Sequence, residues 1–70
     1  MSINGNLKTA FSKRSLLKLA QLFPDDRITI TPYADYETVY CNGEYVCTVM
    51  TEEILQNEFR ALDMVVELLS

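Results

Sequence analysis

The chain of 70 residues contains no histidine and no tryptophan. Without histidine, the commonest general base, the commonest metal ligand and the side chain that titrates near neutral pH are all missing. Serine–histidine and cysteine–histidine nucleophile pairs are therefore excluded. Glycine occurs only at Gly5 and Gly43, so no glycine-rich loop is present to cradle a phosphate. Cys41 and Cys47 alone cannot complete the four ligands of a structural zinc site. Apolar runs are a few residues long, far short of the ~20 that span a bilayer. The N-terminal Met-Ser-Ile-Asn-Gly-Asn has neither the basic segment nor the apolar stretch of a secretory leader. The expectation is a complete small gene product in the cytoplasm (the host's, if the gene is viral). It has no assigned catalytic residue, cofactor or metal, and its cysteines are expected to be free thiols.

What is present fits a single small globular domain spanning residues 1–70. Hydrophobic residues make up 49% and charged residues 23%, enough apolar material for a modest core. The net charge is −4, but its distribution is uneven. Residues 1–24 carry Lys8, Lys13, Arg14 and Lys18 and no acid, whereas residues 25–70 set Arg27 and Arg60 against all ten carboxylates. Either the two poles attract each other within the fold, or one of them meets a charged partner.

The spacing predicts a first helix from about Leu7 to Phe23, capped by Asn6 and stopped by Pro24. Leu16, Leu19, Ala20, Leu22 and Phe23 share its apolar face. After a turn at Pro24-Asp25-Asp26, residues Arg27 to Thr31 alternate as a half-buried strand does, and Pro32 suits an edge position. Tyr36 to Cys41 and Glu44 to Val49 flank Asn42-Gly43, a pair suited to a two-residue type I′ hairpin turn. The predicted register sets Cys41 opposite Glu44, Tyr40 opposite Tyr45, Val39 opposite Val46 and Thr38 opposite Cys47. Cys41 and Cys47 then fall on opposite faces and cannot bridge.

A last helix is predicted from Glu52 to Leu69 with Thr51 as its N-cap. Its apolar arc is about 180° wide, more than the ~100° that one packing face requires. The helix should therefore touch two surfaces. Together these elements give an α+β fold of order α-β-β-β-α, a three-stranded antiparallel sheet with two helices packed on one face.

Two features stand out. Glu58 lies on the apolar arc, where a lone carboxylate is costly to bury. It pairs internally, with Lys18, Arg14 or a tyrosine hydroxyl, or it meets a partner. The hairpin also has two partly apolar faces. The charge-free one (Tyr36, Thr38, Tyr40, Tyr45, Cys47, Val49) is expected to pack on the helices. That leaves Val39 and Val46 exposed between Glu37 and Glu44, an apolar centre with an acidic rim. If the faces are reversed, an exposed tyrosine stripe becomes the candidate surface.

The expected function is a non-enzymatic protein-binding module, a small acidic inhibitor or adaptor that docks on the basic surface of a larger protein. The residues expected to bind are Tyr33, Asp35, Glu37, Val39, Glu44, Val46 and Glu58. The length, acidity and layout resemble those of many phage-encoded inhibitors of bacterial enzymes, anti-CRISPR proteins included, which implies an anti-defence role. The alternative is a structural homodimer through the C-terminal helix. Net negative charge disfavours nucleic acid as a partner, and the lack of a span disfavours a membrane. A thiol enzyme built on Cys41 or Cys47 is disfavoured by the acidic surroundings.

Overall fold

Asn42 and Gly43 both adopt positive φ, 53° and 86°, as the two central positions of a type I′ turn require. In the computed structural model, which describes residues 8–70, this turn joins β2 (Tyr36–Cys41) to β3 (Glu44–Met50). Asn42 also ties the hairpin tip to the preceding turn. Its Oδ1 accepts from the Arg27 N–H at 2.8 Å, and its Nδ2 donates to Asp26 Oδ1 at 2.9 Å. The backbone N–H of Asn42 donates to the Arg27 carbonyl at 2.8 Å. β1 (Ile28–Pro32) pairs antiparallel with β2, giving the sheet order β1-β2-β3. Pro32, which lacks an N–H to donate, ends an edge strand.

The hairpin follows the expected register for two pairs, Cys41 with Glu44 and Tyr40 with Tyr45, and then departs from it. Val46 is an extra residue. Val39 faces Cys47, Thr38 faces Thr48, Glu37 faces Val49 and Tyr36 faces Met50. A β-bulge inserts one residue in this way, and every residue beyond it changes face. The consequence decides which side of the sheet is buried. Ile28, Ile30, Val39, Cys47 and Val49 now share one side, and all either belong to the core or pack against it. Val39 and Val49 are fully buried.

The helices complete that core. α1 (Lys13–Leu22) begins six residues later than expected, and the predicted cap Asn6 and start Leu7 lie outside the described residues. Ser12 is the N-cap; its hydroxyl accepts from the Ser15 N–H at 3.4 Å. Phe11, Ser15 and Leu19 form the buried stripe, flanked by half-buried Leu16 and Phe23. Leu22 and Ala20, expected on that face, are exposed. The helix stops where Pro24 pushes Phe23 out of the helical region, to φ −126° and ψ 65°.

The expected last helix is two helices, α2 (Thr51–Gln56) and α3 (Glu58–Leu69). Met50 rather than Thr51 occupies the N-cap position of α2. Asn57, at φ −155° and ψ 85°, breaks the helical path, and its side chain accepts from the Arg60 N–H at 3.2 Å to cap α3. Asparagine readily substitutes its own side chain for the backbone in this way. Ile54 from α2 and Ala61, Leu62 and Val65 from α3 are buried against the sheet. Leu55, Phe59 and Leu68, which share the predicted apolar arc, remain exposed. The order is thus the expected α-β-β-β-α, with the final helix broken once.

Candidate interaction surface

The bulge that gathers the aliphatic residues on one side of the sheet leaves a different set on the other. Across the strands, Thr29, Tyr40 and Tyr45 form one row, and Thr31, Thr38 and Thr48 form the next. Tyr36 and Met50 close the sheet beyond them, with Tyr33 beside Tyr36. None of these residues is charged, and all four tyrosines of the chain are among them. Tyr45 is 60% exposed, and Tyr33, Tyr36 and Met50 are also open to solvent.

Tyr36, Thr38, Tyr40 and Tyr45 are expected to pack on the helices, and the structure places them on the open side instead. Cys47 and Val49, expected with them, do lie on the helix side, because the bulge shifts the rest of β3 by one residue. Three strands each present a polar or aromatic side here, while their aliphatic side needs the helices. The rings are organised rather than loose. Tyr40 and Tyr45 meet edge to face, with centroids 6.1 Å apart and planes at 78°. Tyr33 and Tyr36 stack with centroids 5.0 Å apart and planes at 24°. The Tyr45 hydroxyl lies 2.7 Å from Thr48 Oγ1. Thr38, at the centre, is buried, and its hydroxyl has no hydrogen-bond partner.

The expected binding residues separate into those that join this face and those that do not. Tyr33 belongs to it. Asp35 is exposed in the turn between β1 and β2, where the Tyr33 N–H donates to the Tyr36 carbonyl at 2.8 Å. Glu44 is exposed at the hairpin tip. Val39 is wholly buried, and Val46 is half-buried against the core, so the exposed valine pair does not exist. Both follow from the bulge.

Glu37 is 1% exposed and does not serve as a rim residue. Its position beside Val39 on the inner side would leave a carboxylate in the core, and the segment before α1 satisfies it. The Thr9 hydroxyl donates to one oxygen and the Ala10 N–H to the other, the latter at 2.5 Å. The same Thr9 hydroxyl accepts from the Phe11 N–H at 3.1 Å, which fixes the approach of Phe11 to the core.

Glu58 is also engaged internally, though not with Lys18, Arg14 or a tyrosine. Its Oε2 accepts from the Ser15 hydroxyl, from the Ser12 N–H at 2.7 Å and from the Ser12 hydroxyl at 2.8 Å. These bonds, the Ser15 hydroxyl foremost, hold its carboxyl below the usual carboxylate range against the opposing effect of partial burial. The break at Asn57 places Glu58 at the start of α3, where a negative charge also complements the helix dipole.

Elsewhere the described residues line shallow clefts. One, of about 670 Å³, follows the α2–α3 elbow between Glu53, Asn57, Arg60, Asp63 and Glu67. Another, of about 400 Å³, lies between Leu16, Leu19 and Ala20 of α1 and Ile28 and Ile30 of β1. Among the described residues, no cluster of three or more cysteine, aspartate or glutamate side chains is placed to hold a metal ion. The described helices include none long and apolar enough to cross a membrane. Both cysteines are free thiols; the bulge brings them to the same side of the hairpin rather than to opposite sides.

Tyr36, Tyr40 and Tyr45 are candidate binding residues only in the reversed-face alternative, and Thr48 and Met50 in neither reading. Their charge-free alternation was visible in the sequence, but it suits a buried face as well as an open one. Comparison with family models, with curated proteins and with solved structures finds no match for this chain.

Proposed function

We propose that the chain is a non-enzymatic protein-binding module, an inhibitor or adaptor, that docks on a larger protein through the open tyrosine–threonine face of its sheet. The observation that carries this reading is the face itself: four tyrosines and no charge on a side of the sheet that none of the described helices covers. Tyrosine supplies large contact area at small entropic cost, and charge is depleted at interface centres. A standard interface takes about 800 Å² from each partner. Against a total surface of 5080 Å², that is about a sixth of the molecule. The rim sets the sign of the partner. Between Arg27 and Arg60 the sequence has no lysine or arginine, while Asp35, Glu44, Glu52 and Glu53 are all exposed. A basic surface is the complement.

The test is capture of partners from lysate of the source organism by the wild-type chain and by Tyr45→Lys/Thr48→Lys. One protein held in stoichiometric amount by the wild type and released by the variant supports the reading. Capture that the variant leaves intact removes it.

A second reading has its own observation. Leu55 and Phe59 are 72% and 73% exposed on the C-terminal helices, and Leu68 is open as well. A homodimer through these residues would cover them. Light scattering decides it: a dimer mass that Phe59→Glu returns to 8.0 kDa supports the dimer, and a monomer mass for the wild type excludes it.

A further inference from the structure

Within the open face, one end differs from the rest. Tyr33 and Tyr36 stack on each other and are 44% and 39% exposed, so neither ring is consumed by the contact. The turn that carries them is fixed at two points. The Tyr33 N–H donates to the Tyr36 carbonyl at 2.8 Å, and the Thr51 N–H, at the start of α2, donates to the Asp35 carbonyl at 3.0 Å. The second bond brings the turn against the helix start whose first turn contains Glu52 and Glu53, both exposed. Two preorganised aromatic rings therefore belong to a turn that carries exposed Asp35 and is tied by its backbone to the start of the helix bearing Glu52 and Glu53.

That combination selects a cation, and one kind of cation above others. A tyrosine ring attracts positive charge to its face. Guanidinium is planar, stacks on rings and still offers N–H groups to a carboxylate, whereas ammonium is a compact, strongly hydrated point charge. Stacking alone would also suit a nucleobase. A phosphate backbone, however, would meet Asp35, Glu52 and Glu53 with no basic residue in the intervening sequence.

We propose that the Tyr33–Tyr36 pair, with Asp35 between them, receives an arginine side chain of the basic protein partner: the guanidinium lies on the stacked rings and pairs with the Asp35 carboxylate. This rests on the protein-binding reading and names the contact at one end of that face.

The experiment titrates the isotope-labelled chain, at low salt, with octa-arginine, octa-lysine and an eight-nucleotide oligothymidylate. Amide and tyrosine-ring resonances are followed by NMR. Octa-arginine should shift the resonances of residues 33–36 and bind about fivefold or more tighter than octa-lysine. Tyr33→Leu/Tyr36→Leu keeps apolar side chains in the turn and should weaken octa-arginine binding by about tenfold. Tyr33→Phe/Tyr36→Phe, which keeps the rings, should not. Equal affinity for the two peptides, an unaffected leucine variant, no binding by wild type, or preference for the oligonucleotide would each overturn the proposal.

The leucine variant is also carried through the lysate capture. A partner that it retains, but that Tyr45→Lys/Thr48→Lys releases, removes the arginine contact and leaves the protein-binding reading in place. Retention by both variants removes that reading as well.

Discussion

Glu58, on the last helix, accepts hydrogen bonds from both the backbone N–H and the hydroxyl of Ser12, 46 residues away at the start of the first helix. Ser12 is the N-cap of α1, so one carboxylate satisfies the cap residue of one helix while standing at the N-terminus of another. Sequence-distant helices are thus joined by polar bonds at their two N-terminal ends, where unpaired N–H groups favour negative charge.

Glu58→Gln should lower stability by roughly 1–2 kcal/mol in urea unfolding, a value reduced because the group is partly solvated. The loss should depend on pH. The folded state holds this carboxyl below its ordinary value, so the unfolded chain binds the proton first as pH falls. The stabilisation is complete above the unfolded value of about 4.3 and is lost as pH drops through the folded one. Urea curves of wild type and Glu58→Gln should therefore differ most near neutrality and converge in acid. A difference independent of pH would show that the charge is not what matters.

Glu37 presents the stricter case. Its carboxylate is 1% exposed and receives the Thr9 hydroxyl and the Ala10 N–H. In Glu37→Gln the amide oxygen can still accept from the Ala10 N–H, but the Thr9 hydroxyl must turn from donor to acceptor, and both bonds lose the charge that strengthens them. A destabilisation of about 2–3 kcal/mol is expected, against no more than ~0.5 kcal/mol for Glu44→Gln at the exposed tip. Chemical denaturation of both variants checks this directly. Charge reversal at Glu37 should prevent folding, which makes it useless as a surface probe despite its strand position.

These two glutamates mark what could and could not be read from the sequence. The strands, the Asn42-Gly43 turn and the element order follow from alternation and turn chemistry, which are local. The buried side of the hairpin does not. It depends on one extra residue at Val46, and bulges have no fixed composition. It depends equally on Thr9 and Ala10, whose hydrogen bonds make a buried Glu37 tolerable and which lie 28 and 27 residues away. A surface position for Glu37 carries Val39 outward with it and the tyrosines of β2 inward. Tyr33 and Asp35 were legible because a turn leaves its residues outside whichever face is buried. The break at Asn57 was hidden for a similar reason, since the apolar pattern runs on through it.

Gly43 has φ +86°, and a Cβ added there would meet nothing within 4 Å. Any penalty for Gly43→Ala is therefore backbone strain rather than collision. About 1 kcal/mol is expected, visible as a lower urea midpoint with an unchanged slope. Asn42→Ala should cost more, because the bonds to Arg27 and Asp26 go with it. Equal losses would mean that those bonds contribute nothing to anchoring the hairpin tip.

The two thiols should be sluggish nucleophiles, for different reasons. Burial pushes the Cys41 thiol up, and the Asp26 and Glu44 carboxylates push it further; burial alone raises Cys47. A raised value means less thiolate at mildly alkaline pH, and the thiolate is the species that reacts. Iodoacetamide labelling near pH 8, followed by mass spectrometry, should run slower at both sites than in a short cysteine peptide. Asp26→Asn/Glu44→Gln should speed labelling at Cys41 and leave Cys47 unchanged, since only Cys41 faces those charges. Addition of salt, which screens exposed carboxylates, should move Cys41 in the same direction. A Cys41 rate faster than that of the peptide would reverse the sign of the local field and reopen thiol chemistry at the hairpin tip.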